Sequence, residues 1–170
     1  MKTLKSIVKA IDTISEWTGR IVSWLLLLLM ALAVFEVFTR RILGKPTIWT
    51  FEVSGFTLAA VVMLALGYTL LHKGHVSVDL MYSRFSRKTR ALVDIITFFP
   101  FIGMFCYVFL VEGTRFAATS WSMLERTPSA LNAPIYPIKT LIPVGALLLT
   151  IVAVSQLIKS IVFYVKGEQL

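Results

Sequence analysis

Cysteine occurs once in the 170 residues, at Cys106, and histidine twice, while acidic side chains number only nine. A single thiol excludes both a disulfide framework and a dithiol redox centre. His72 and His75 are too few and too close together to be the axial pair of a haem, which needs ligands from opposite sides. A zinc site built from them and Asp79 would lack a fourth ligand, and Gly74 between them reads as a helix terminator. There is no Walker loop, no HExxH helix and no Gly-x-Ser-x-Gly elbow, so neither enzymatic chemistry nor a cofactor is expected.

What the chain has in excess is apolar surface. It is 57% hydrophobic and 15% charged, where a soluble domain is about 45–50% apolar and about 25% charged. A chain this short cannot hide so much apolar surface in one core, so its solvent is mostly lipid. Lys and Arg number 17 against 9 Asp and Glu, a formal charge of +8. A basic balance can mark a nucleic-acid surface, but these cations fall in short clusters between apolar stretches. That is the pattern of membrane-orienting charge, and no nucleic-acid partner is expected.

A spanning helix needs about 20 mostly apolar residues to cross a hydrocarbon core of about 30 Å. Four stretches qualify, at about 21–43, 49–71, 91–118 and 138–164. The first is too long for the apolar region of a signal peptide and has no small-residue cleavage site after it, so it is expected to stay. The expected fold is an all-α membrane protein, one four-helix transmembrane domain over 1–170. Most Lys and Arg flank the N-terminus, the connection between the second and third spans and the C-terminus, which places both termini in the cytoplasm. Residues 3–17 carry Leu4, Ile7, Val8, Ile11 and Ile14 at helical spacing, with Lys2, Lys5 and Lys9 elsewhere on the wheel. They predict an amphipathic helix lying in the lipid interface. Trp17, Trp49 and Trp121 sit near span ends, where indole rings anchor helices.

Ionisable groups inside spans are costly, and each counts as a candidate for function. Glu36 and Arg40 are four residues apart on the first span, and Glu112 and Arg115 three apart on the third, so each pair shares a helix face. Glu52, one turn into the second span, lies at a depth from which it could reach Arg40 across the short connection. These carboxylates could form an ion or proton site, or could be neutralised pairs that hold helices together or dock a partner. A proton-coupled carrier wants an isolated acid at mid-membrane, and the sequence offers none. The third connection, Thr119 to Pro137, mixes Trp121, Met123, Leu124 and Tyr136 with three prolines, and it predicts a partly rigid, protein-facing excursion. Gly55 with Ala59, Gly67 and Gly103 offer small residues for close helix packing.

Four spans, the segment Ile48-Trp49-Thr50-Phe51-Glu52 and the run Gly74-His75-Val76-Ser77-Val78-Asp79-Leu80 together resemble the small, DctQ-type membrane subunit of tripartite ATP-independent periplasmic (TRAP) transporters. Thr127-Pro128-Ser129-Ala130-Leu131, Pro134 and Ile142-Pro143-Val144-Gly145 are similar to that family's third loop and fourth helix. The resemblance covers nearly the whole chain; Phe51 occupies a position that is acidic in some members. It implies a multi-pass protein of the bacterial inner membrane, partnered by a large multi-span subunit and a periplasmic substrate-binding protein, in a transporter that imports organic acids with a sodium gradient. Sodium and substrate would sit on the large, elevator-type subunit, and this chain would be non-catalytic scaffold. Carried over residue by residue, Trp49 and Glu52 fall at the outer end of the second span, and Gly74, His75 and Asp79 at its cytoplasmic turn. The different-class alternative is a self-sufficient dimeric carrier or channel built around Glu36 and Glu52.

Overall fold

The computed structural model describes residues 2–45, 47–72 and 87–166. The chain runs through α1 (Lys2–Ile42), α2 (Ile48–Leu71), α3 (Arg87–Thr97), a π-helical turn (Phe98–Gly103), α4 (Met104–Ser122), the single turn α5 (Tyr136–Lys139) and α6 (Leu141–Lys166). Because the π turn joins α3 to α4 without a break, four helical rods are long and apolar enough to cross a membrane: Lys5–Ile42, Ile48–Leu71, Ala91–Ser122 and Tyr136–Val165. Twenty residues separate Arg20 from Arg40, Glu52 from His72 and Lys139 from Lys159. At 1.5 Å per residue each interval is about 30 Å, the thickness of the hydrocarbon core.

The interfacial helix expected over 3–17 is not a separate element. It continues into the first span as one 41-residue helix, about 60 Å long by its helical rise. Nothing between Trp17 and Ile21 stops it: no proline intervenes, and the lone Gly19 costs only about 1 kcal/mol in a helix. The glycine instead makes room for α2, since a Cβ there would run into the Tyr68 ring. An ion pair and a histidine–carboxylate hydrogen bond tie this part of α1 to the bundle. Lys159 of α6 lies 2.8 Å from both carboxylate oxygens of Asp12, and His72 Nε2 lies 2.7 Å from Glu16 Oε1. At its other end α1 stops at Gly44, whose φ of +65° is the left-handed conformation glycine adopts freely, and the Lys45 amide folds back onto Thr39 O at 3.2 Å.

The most buried helix is α6, which contacts α1, α2, α3 and α4. Ala146, Leu149, Val152 and Ala153 line its inner face and are buried. Leu149 and Ala153 meet Cys106 of α4, with Leu66 and Leu70 of α2 and Phe98 and Ile102 of the π turn packed around them. Pro100 lies in that turn and cannot donate a backbone hydrogen bond, which favours the wider winding. The parallel α2 and α6 approach through small residues: a Cβ on Gly145 would lie 2.6 Å from Met63 O, and one on Gly67 would lie 3.3 Å from Leu148 O. Among the described residues Gly55 meets nothing within 4 Å, so the packing role expected for it is not used there.

Candidate functional site

The polar side chains of the spans gather at the end of the bundle that carries Arg40, where α1 ends, α2 begins and the 123–135 loop folds over. Glu36 accepts bonds from Arg40 Nη2 at 2.8 Å and Nε at 3.2 Å on one oxygen, and from the Thr47 hydroxyl on the other. Thr47 also pairs with the buried hydroxyl of Thr50. The Glu36 side chain is 17% exposed and that of Arg40 65%. Trp49 leans on Phe35 with ring centroids 5.8 Å apart, fastening the start of α2 to the end of α1.

Glu52 does not go to Arg40. It is 7% exposed, and its carboxylate accepts the Thr127 hydroxyl at 3.2 Å and the Ser129 hydroxyl. These donors come from a loop 75 and 77 residues further along the chain, and that loop is built to present them. The Thr127 amide donates to Ala133 O at 2.8 Å and the Ile135 amide to Glu125 O at 2.9 Å, making a tight hairpin. The Ala133 amide also bonds Thr127 Oγ1 at 2.9 Å, leaving that hydroxyl's proton to point at Glu52. Leu124 and Asn132 take positive φ values of 46° and 48° at the two ends of the excursion, a cost tolerated only where surrounding contacts enforce it.

A third carboxylate fixes the hairpin's base. Glu125 accepts the Lys139 ammonium at 2.5 Å and the Ser120 hydroxyl at 2.7 Å, and Lys139 lies 4.1 Å from the centre of the Phe116 ring. The Lys139 bond first and the Ser120 bond second hold the Glu125 carboxyl below its ordinary value of 4.5. A lowered folded-state value contributes stability that is fully present above 4.5 and is lost as pH falls through the lower folded value. Acidification below about 4.5 is therefore expected to lower the thermal midpoint of the purified chain, and Lys139→Met is expected to flatten that dependence.

Glu112 and Arg115 do pair, at 2.8 Å, but with side chains 60% and 72% exposed they form a surface pair. Pro143 lies in the first turn of α6, where its missing N–H leaves nothing unsatisfied, close to Gly113 of α4. Gly74, His75 and Asp79 fall outside the described residues. Sequence reasoning missed Thr127 and Ser129 as partners of Glu52, and Glu125 with Lys139. Thr-Pro-Ser is visible in the sequence, but no local period joins it to a residue on α2. Among the described residues, no three His, Cys, Asp or Glu side chains come together as a metal site.

Arg40 is expected to matter less to the fold than its place in a span suggests. A largely exposed ion pair contributes about 0–1 kcal/mol, and Thr47 still holds Glu36, so Arg40→Ala should leave the thermal midpoint nearly unchanged. A clear fall would show that Arg40 carries more than this pair.

Residues 29–162 match the profile described as tripartite ATP-independent periplasmic transporters, DctQ component. The chain belongs to the DctQ family. Neither a curated protein nor a solved structure matches it. The match spans all four rods of this DctQ protein, from within α1 to near the end of α6, and includes Glu36, Arg40, Trp49, Glu52, Glu125 and the hairpin. It makes the chain a multi-pass component of a TRAP transporter, from a family known as a transporter part rather than as an enzyme.

Proposed function

We propose that this DctQ protein is the small, non-catalytic scaffold subunit of a sodium-coupled secondary transporter of the bacterial inner membrane, which imports organic acids delivered by a periplasmic binding protein. Both termini lie in the cytoplasm and the Arg40 end faces the periplasm, following the distribution of Lys and Arg. Sodium and substrate bind the large subunit.

One observation carries the reading. No carboxylate among the described residues stands at the midpoint of a span; those at the Arg40 end are bonded to hydroxyls or cations that tie α1, the start of α2, α4, α5 and the hairpin together. Those bonds brace a structure rather than move a proton or an ion, because a coupling acid must change partners during a cycle. Elevator transport needs one element to stay put while another travels. A bundle with indole anchors and long apolar rods resists being dragged through the bilayer.

The test is reconstitution of the large subunit in proteoliposomes with and without this chain, with sodium-driven uptake of an organic acid as the readout. Uptake is expected to need the chain; full uptake without it would sink the scaffold role.

A further inference from the structure

Hydroxyl side chains on the helices of this chain commonly turn back onto their own backbone. Thr13, Ser23, Thr57, Thr97, Thr114 and Thr150 each donate to the carbonyl four residues earlier, at 2.6 to 3.0 Å. Ser155 of α6 does not. It is fully buried, at 0% exposure, and among the described residues its Oγ has no hydrogen-bond partner. A buried hydroxyl left so costs free energy, and a native structure supplies it with a partner, from protein or from ordered water.

The place of Ser155 in the bundle shows where that partner sits. Ser155 precedes Lys159 by one turn and shares its face of α6, and Lys159 holds Asp12 of α1. Because α1 runs antiparallel to α6, the α1 residue one turn deeper than Asp12 on the same face is Ser15. Ser15 is 2% exposed. The two serines therefore look toward each other across the α1–α6 contact, yet no direct bond joins their hydroxyls. Polar groups that face each other just beyond reach are where a water bridges. The level is closed on both sides. The Asp12–Lys159 pair covers it away from the membrane centre; toward the centre stand Val152, 1% exposed, and Gly19 with the Tyr68 ring against it. Ser155 lies about 6 Å along the helix inside Lys159, at a depth where bulk water does not reach a lipid-embedded bundle.

We propose that Ser15 and Ser155 hold a structural water molecule between α1 and α6. A buried water makes about three hydrogen bonds. This one accepts the Ser155 proton, donates to Ser15 Oγ, and donates its other proton to the spare lone pair of a carbonyl in the preceding turn. The guest is neutral rather than a cation, because both Asp12 oxygens are taken by Lys159 and the ammonium itself stands one turn away. The water makes a polar clasp between two helices that small side chains let come close. It extends the hold of α6 on α1 one turn beyond the Asp12–Lys159 pair.

Two measurements on the full chain in lipid nanodiscs test it. The first is a density map, of the chain alone or within its complex, at a resolution that shows ordered water. Density within hydrogen-bond distance of both Ser155 Oγ and Ser15 Oγ is expected, and its loss in Ser155→Ala. The second is thermal unfolding of Ser155→Ala, Ser15→Ala and the double variant. Each single change should lower the midpoint by about 2–4 °C, the shift that one lost hydrogen bond gives in a chain of this size. The double variant should lose less than the sum, because either change alone already removes the bridge. A Ser155 hydroxyl turned onto the Ile151 carbonyl, or bonded directly to Ser15, overturns the proposal. So does Ser155→Ala melting at or above the unaltered chain, since deleting a hydroxyl that bridges nothing costs nothing. Density that appears only when sodium is present would mark a cation and overturn it as well.

Discussion

Gly145→Ala is expected to destabilise the bundle by about 1–3 kcal/mol, the usual cost of forcing an extra group into a filled site. The added Cβ would stand 2.6 Å from the Met63 carbonyl oxygen and 3.1 Å from its carbon. Both are backbone atoms of α2, so neither can turn aside as a side chain would. The helices must separate, and separation loosens the contacts that α6 makes around Leu149 and Ala153. Gly67→Ala, whose Cβ would meet Leu148 O at 3.3 Å, is expected to cost less. Gly55→Ala, with nothing among the described residues within 4 Å, should be neutral or slightly stabilising, because alanine favours a helix over glycine by about 1 kcal/mol. Thermal unfolding of the three purified variants should fall in that order. Equal midpoints for Gly145→Ala and Gly55→Ala would show that α2 and α6 are not in this contact.

Glu52→Leu should free the hairpin. Leucine nearly keeps the volume but leaves the Thr127 and Ser129 hydroxyls without their acceptor, and an unsatisfied polar group costs about 1–3 kcal/mol when buried. Thr127 is half-buried and Ser129 exposed, so the loss should fall near 2 kcal/mol, within that range for stranded partners. The clearer readout is local. Limited proteolysis within 123–135 should accelerate in Glu52→Leu and less so in Glu52→Gln, which keeps one acceptor oxygen. Thr127→Val should reproduce much of the effect, because Thr127 Oγ1 also receives the Ala133 amide. Unchanged cleavage in both Glu52→Leu and Thr127→Val would mean that the loop holds its shape without α2.

Much of this architecture was legible from residue order. The ends of α2 and of the fourth rod lie close to those drawn from the apolar runs 49–71 and 138–164, because span length is set by bilayer thickness and by where charge resumes. Glu36 with Arg40 and Glu112 with Arg115 were legible for the same kind of reason, since partners within one helical turn are fixed by helix geometry alone. The interfacial helix expected over 3–17 is continuous with the first span rather than a separate element. Amphipathic periodicity describes a helix lying on lipid and a helix packed against protein equally well, and only the positions of Lys159 and His72 choose between them. The expected reach of Glu52 to Arg40 failed similarly: depth in the membrane puts two groups at one level but says nothing of which way they face around the bundle.

Composition, run length and charge placement by themselves determined that this DctQ protein is four-helix and lipid-solvated, since those depend on transfer free energies that each residue carries with it. Tertiary structure alone decided that Glu52 belongs to the hairpin, that Gly145 and not Gly55 is the close crossing, and that α1 stands as one continuous rod. Each depends on rotation about a helix axis and on contacts between residues far apart in the chain, which no local period encodes.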